Sequence, residues 1–124
     1  MPVLTAPESP THRVGDTAFT SLATPTRGTS RTSVWLLELP AGARPTTHSI
    51  TEEEIFVVLE GTADVELDGD ASTATTGDVI VVPPGVPFAL GNAGPAGCRL
   101  VCCQPVGAQA QLPDGEPFTP PWAL

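Results

Sequence analysis

No stretch of ten or more residues in this chain carries a helical apolar period; short alternating runs stand in its place. SVWLLEL, EIFVVLE, ADVEL, VIVV, PFAL and CRLVCCQ are rich in the aliphatic, β-branched and aromatic side chains that suit a pleated, half-buried surface. Almost every break between them is a turn signal: Pro40-Ala41-Gly42, Gly61, Asp68-Gly69-Asp70, Thr76-Gly77-Asp78 and Pro83-Pro84-Gly85. The polar, β-branched ASTATT reads as a further strand with one side in solvent. Seven or eight short strands in this spacing predict an all-β sandwich or barrel.

A chain of 124 residues is one domain with one modest core. Three segments are expected within it. Residues 1–31 are rich in Pro, Thr and Ser, and read as an extended arm with one edge strand around Ala18, Phe19 and Leu22. Residues 32–106 hold the strand-rich barrel. Residues 107–124 form a turn-rich tail whose Phe118 and Trp122 are expected to dock on the barrel or on a partner subunit.

Charge narrows the partners. The formal net charge is −9, from 14 acids against five arginines. Such a chain repels phosphate backbones and anionic membranes, so neither nucleic acid nor membrane is expected as a partner. No apolar run approaches the roughly 20 residues that span a bilayer, and the first residues lack a signal-peptide pattern. A cytoplasmic location is the expectation. The cysteines agree with it. Cys102 and Cys103 are neighbours on one strand and point to opposite faces, while Cys98 and Cys102 would stand about 13 Å apart, so all three read as free thiols.

Candidate chemistry concentrates in Gly42–Gly61, GARPTTHSITEEEIFVVLEG, which holds one of the two histidines and the densest run of carboxylates. His48 follows Gly42 after five residues, and Glu54 and Gly61 come next at fixed spacing. Further on, Gly77, Pro83, Gly85 and Asn92 form a second spaced set. Together these positions resemble the two motifs of the cupin family, G-x5-H-x-H-x3,4-E-x6-G and G-x5-P-x-G-x2-H-x3-N. The resemblance covers residues 42–92 and implies a small double-sheet jelly-roll β-sandwich or barrel. It also implies a homodimer, with the arm and tail covering open sheet edges.

In most cupins the histidines and the glutamate of these motifs hold one divalent metal. Here the second histidine position is Ile50 and the third is Phe88, and the remaining histidine, His12, lies in the arm. His48 and Glu54 would be the ligands if a metal bound; two protein ligands hold a metal weakly, and no cofactor is expected. Cys102, Cys103, Glu52 and Glu53 are the residues that could replace the missing ligands. Glu52 and Glu53 read otherwise as a solvated acidic turn.

Three functions follow from this half-site. The first is a metal-independent small-molecule enzyme of isomerase, epimerase, cyclase or lyase type in biosynthesis, with His48 and Glu54 as a hydrogen-bonded acid/base pair in an apolar cavity. The chain has no tyrosine, the acid that sugar epimerases of this fold resemble one another in using, which counts against that one activity. The second is a ligand-binding or sensing protein without catalysis. The third is a metal-dependent, dioxygenase-like cupin with an atypical ligand set. The substrate-binding candidates are Arg44, as a carboxylate anchor at the cavity mouth, with Ile50, Phe56, Phe88, Leu90 and the inward Cys102 as walls. Each also has a plainer reading: an exposed loop arginine, or ordinary core packing.

Overall fold

The computed structural model describes residues 2–124. Six strands form the larger sheet, in the order β1 (His12–Val14), β2 (Thr17–Ala23), β3 (Thr32–Leu39), β10 (Cys98–Pro105), β5 (Glu54–Glu60) and β8 (Val79–Val82). A second sheet orders β7 (Asp70–Thr75), β6 (Thr62–Leu67) and β9 (Phe88–Gly91). β9 continues through the isolated bridges Ala43↔Asn92 and His48↔Phe88 to the segment that ends in β4 (Ser49–Ile50). β4 pairs in turn with β11 (Ala110–Gln111). All strand pairs are antiparallel. The two sheets face each other across one core drawn from both: Trp35, Leu37, Phe56, Val58 and Leu100 from the larger, Ile50, Val65, Phe88 and Leu90 from the smaller. The architecture is the all-β sandwich that the strand pattern predicts, in the jelly-roll form that the motif resemblance implies.

Alternation explains which side chains meet. In β3, Ser33, Trp35, Leu37 and Leu39 are buried while the residues between them are not. β5 buries Glu54, Phe56 and Val58, and β10 buries Cys98, Leu100, Cys102 and Gln104. Period two thus aims a carboxyl, a thiol and an amide into the sandwich along with the apolar side chains.

The turns have local causes. Asp68 and Gly69, both at positive φ (50° and 85°), make the two-residue connection between β6 and β7, as a type I′ hairpin requires. Gly61 joins β5 to β6 at φ +84°, and a Cβ there would lie 2.5 Å from the Gly97 carbonyl oxygen, so both backbone and space demand glycine. Asn92 is buried and acts as a clasp: its Nδ2 donates to the Leu39 and Ala96 carbonyls at 3.1 and 2.7 Å, and its Oδ1 accepts from the Gly94 N–H at 3.1 Å.

The arm differs from expectation in one respect: it supplies two strands, the hairpin β1–β2, with β1 rather than the Ala18–Leu22 segment at the sheet edge. The tail packs on the larger sheet. Trp122 stacks on Phe19 with ring centroids 3.7 Å apart, Ser21 Oγ donates to the Trp122 carbonyl at 2.7 Å, and Ser33 Oγ donates to the Ala123 carbonyl at 2.8 Å. Among the described residues no helix is long and apolar enough to cross a membrane.

Candidate functional site

His48 is held by backbone. Its N–H donates to the Phe88 carbonyl at 2.9 Å and its own carbonyl accepts from the Phe88 N–H at 2.8 Å, so the two residues are cross-strand partners. Their side chains share a face, and the ring centroids lie 4.3 Å apart at a 46° tilt. The Phe88 ring in turn meets Phe56 at 5.7 Å. Phe88 is 1% exposed, Phe56 4% and Ile50 3%, so the imidazole sits against an apolar wall.

The imidazole has one defined tautomer. Its Nδ1 lies 2.9 Å from the Thr46 carbonyl, which can only accept, so Nδ1 carries the proton and Nε2 keeps its lone pair. Burial pushes the group below its usual 6.5, against the opposing pull of that hydrogen bond. At neutral pH His48 is an uncharged base.

Glu54 has the converse environment. It is 3% exposed, and burial pushes its carboxyl up to about 8. It makes no hydrogen bond or ion pair with a side chain among the described residues; the ion pairs there are those of Arg99 with Glu38 and Glu60. At neutral pH Glu54 is a carboxylic acid. This corrects the expectation of a hydrogen-bonded His48–Glu54 pair. His48 bonds the Thr46 carbonyl instead, and burial, not a mutual charge, is the leading influence on each group.

Glu54 lies between Val82 of β8 on one side and the polar or thiol groups of β10 on the other. Cys102 is opposite Phe56 and Cys103 opposite Ile55, so continuing the register sets Gln104 opposite Glu54. Gln104 is 3% exposed and its Oε1 has no hydrogen-bond partner. Sequence reasoning missed Gln104, although its signal was present: it falls on the inward parity of CRLVCCQ. Cys102 is fully buried, and burial first, then Glu54 and Cys103, push its thiol well above the ordinary value. It is therefore a protonated wall residue, not a nucleophile. The three cysteines are free.

The other candidates divide. Ile50, Phe56, Phe88, Leu90 and Cys102 are all core residues, and Phe88 touches both His48 and Phe56. Arg44 is exposed and makes no ion pair among the described residues. Glu52 and Glu53 are exposed. Two surface clefts, of about 340 and 320 Å³, lie beside β6 and β7, and neither is lined by His48 or Glu54.

The donor set does not fit the divalent metal of the fold. Among the described residues no three His, Cys, Asp or Glu side chains converge to hold an ion. Ile50 and Phe88 offer no lone pair at two of the four motif positions, and two protein ligands hold a metal weakly.

Comparison with known proteins agrees with this architecture. The polyketide cyclase RemF of Streptomyces resistomycificus superposes with a TM-score of 0.70 at 23% identity, over 88% of this chain and 79% of RemF. Salicylate 1,2-dioxygenase of Pseudoaminobacter salicylatoxidans, in a structure with gentisate, superposes with a TM-score of 0.65 at 26% identity, over 76% of this chain and 26% of the dioxygenase. An uncharacterized protein of Methanocaldococcus jannaschii is 33% identical over 66 residues, and the match spans about half of each chain (52% of this one, 53% of the other). The Cupin domain profile matches residues 35–103, which run from the inward Trp35 of β3 to Cys103 of β10 and enclose both spaced motifs. With the glycine frame, the jelly roll and that profile in agreement, the chain belongs to the cupin family.

Proposed function

We propose that this cupin is a metal-independent enzyme that moves protons on a small, largely apolar carbonyl compound, as isomerases, epimerases, cyclases and lyases do. One observation carries the reading: the two titratable groups of the motif have environments that push them apart into a neutral base, His48, and a neutral acid, Glu54. Such a split assigns the roles. His48 Nε2 takes a proton from the carbon next to the carbonyl and becomes imidazolium, while the Glu54 O–H gives its proton to the carbonyl oxygen and becomes carboxylate. The product of that step is an enol. Return of the proton to the same or another carbon gives epimerisation or isomerisation; attack of the enol carbon on a second carbonyl closes a ring.

The chain's own residues support the other requirements. Phe88, Phe56 and Ile50 make the surroundings dry, which strengthens any hydrogen bond from Glu54 to a substrate oxygen. Both RemF and salicylate 1,2-dioxygenase act, by their names, on ring systems or ring-forming substrates, which is the size class we propose here. The acidic balance of −9 and the three free cysteines support a cytoplasmic protein whose partner is a small molecule, not nucleic acid or membrane.

The test is hydrogen exchange in heavy water. Small cyclic and aryl ketones are incubated with the protein, and loss of α-proton signal is followed by NMR. Exchange catalysed by the wild type and lost in His48→Ala and Glu54→Gln, both still folded by circular dichroism, supports the proposal. Exchange unchanged in both variants sinks it. Ketones that bind with no exchange favour the sensing or binding reading instead.

A further inference from the structure

One row of inward side chains crosses the end of the larger sheet, beside the C-terminal turn. The register sets Ser33 of β3 beside Gln104 of β10, continues from Gln104 to Glu54 of β5, and ends on Val82 of β8. All four are at most 3% exposed. Val82 needs no polar partner. Ser33 has one, since its Oγ donates to the Ala123 carbonyl at 2.8 Å. Gln104 differs: its Oε1 is buried and has no hydrogen-bond partner among the described residues. An amide oxygen can only accept, so what it lacks is a donor. The Ser33 hydroxyl is committed to the tail, and Cys102 is two residues along the strand, its Cα about 7 Å away. The Glu54 O–H, one strand over, does not bond it either. A buried polar atom left without a partner costs stability, so this one calls for a donor from outside the fold.

We propose that Gln104 is a specificity-determining residue: its Oε1 accepts a hydrogen bond from a hydroxyl of the substrate, while the Glu54 O–H donates to the substrate carbonyl. The proposal rests on the acid role given to Glu54 above, and it names the second group that the substrate carries. Glutamate and glutamine side chains are equal in length. These two leave paired positions on adjacent strands and share the inward face, so one offers a proton and the other takes one, side by side. Paired Cβ atoms on adjacent strands stand about 5 Å apart, which is also about the distance from the carbonyl oxygen of an aryl ketone to a hydroxyl oxygen at its meta position. An ortho hydroxyl would bond to its own carbonyl instead. The surroundings select a hydroxyl over an ammonium. Phe56 and Val82 flank the row, and a cation would lose its hydration there with no ionised carboxylate to replace it. One hydrogen bond at the carbonyl leaves a ring free to swing about it. The second fixes the ring, as presentation of one α-carbon to a base requires.

Equilibrium binding and turnover are measured separately, so that this proposal and the catalytic one can fail apart. The probes are meta-hydroxyacetophenone, its methyl ether and unsubstituted acetophenone. Ligand-observed NMR with the full chain gives the three dissociation constants. The wild type binds meta-hydroxyacetophenone at least about tenfold more tightly than either of the others, because it alone brings the missing donor. In Gln104→Leu, which fills the space without a polar atom, that preference disappears. Exchange of α-protons in heavy water shows the same preference in kcat/KM. If the wild type binds with this preference and exchanges no α-proton, the catalytic reading falls and recognition by Gln104 stands. Equal binding of the three ketones, binding of none, or a preference that survives Gln104→Leu overturns the proposal. So does a methyl ether that binds as tightly as the phenol, since an ether oxygen takes a hydrogen bond only from an amide that presents its N–H.

Discussion

His48 and Phe88 exchange both backbone hydrogen bonds of an antiparallel pair, and their rings lie 4.3 Å apart. A phenyl ring stands where most cupins, by resemblance, project a third histidine. The wall that removes a metal ligand is thus the same side chain that dries the base.

Phe88→Ala separates these roles. The side chain is fully buried, so its loss costs about 3–5 kcal/mol of stability. It also admits water beside His48. The imidazole then rises toward 6.5, because burial is the leading cause of its depression. Chemical-shift titration of the His48 ring protons measures the rise; no movement in that titration rejects Phe88 as the desolvating group.

Stability should decline as the solution is made alkaline. Glu54 titrates near 4.5 when exposed and near 8 in the fold, so between those values the native state holds one proton more than the unfolded chain. Stability from this group is complete below 4.5 and falls by about 1.4 kcal/mol per pH unit until pH passes about 8. His48 acts in the opposite direction: its folded value is depressed, so it lowers stability as pH falls below 6.5. Urea midpoints measured across this range should show Glu54→Gln losing the alkaline decline and keeping the acid one.

The same titrations shape activity. The rate of α-proton exchange should rise with pH as His48 loses its proton below 6.5, and fall above about 8 as Glu54 ionises. Glu54→Gln should be slower by a factor of about 10² or more and lack the alkaline limb. An unchanged limb in that variant assigns it to another group.

How much of this was legible from residue order varies with its physical origin. The barrel strands were, because β3, β5, β8 and β10 alternate cleanly between turn residues. β1 was not: HRV carries no apolar alternation, and it is a strand because β2 offers it an edge. Two-residue β4 and β11 exist through each other and leave no pattern in the chain. Within the site, spacing identified His48, Glu54 and the Phe88 position. It did not reveal their protonation, which depends on burial, nor Gln104, whose position opposite Glu54 comes from the β5–β10 register. That His48 bonds the Thr46 carbonyl and not Glu54 was equally hidden, because loop geometry has no period to read.

Restoring the lost ligands is the last test, and it discriminates between the fold and the side chains as the reason for metal independence. Ile50→His with Phe88→His supplies imidazoles at the two positions that the motif resemblance assigns to ligands, next to His48 and Glu54. Zinc binding would then favour ionised Glu54, lowering its value from about 8, because a dication adjacent to the carboxyl outweighs its burial. Each substitution exchanges a core side chain for a polar one at a cost of about 1–3 kcal/mol, so the double variant should be less stable without metal and recover on adding zinc. Elemental analysis after dialysis should find close to one equivalent in the double variant and less than about a tenth in the wild type. Near-stoichiometric metal in the wild type would instead mean that His48 and Glu54 recruit ligands from elsewhere, and the acid and base roles argued for them would fall.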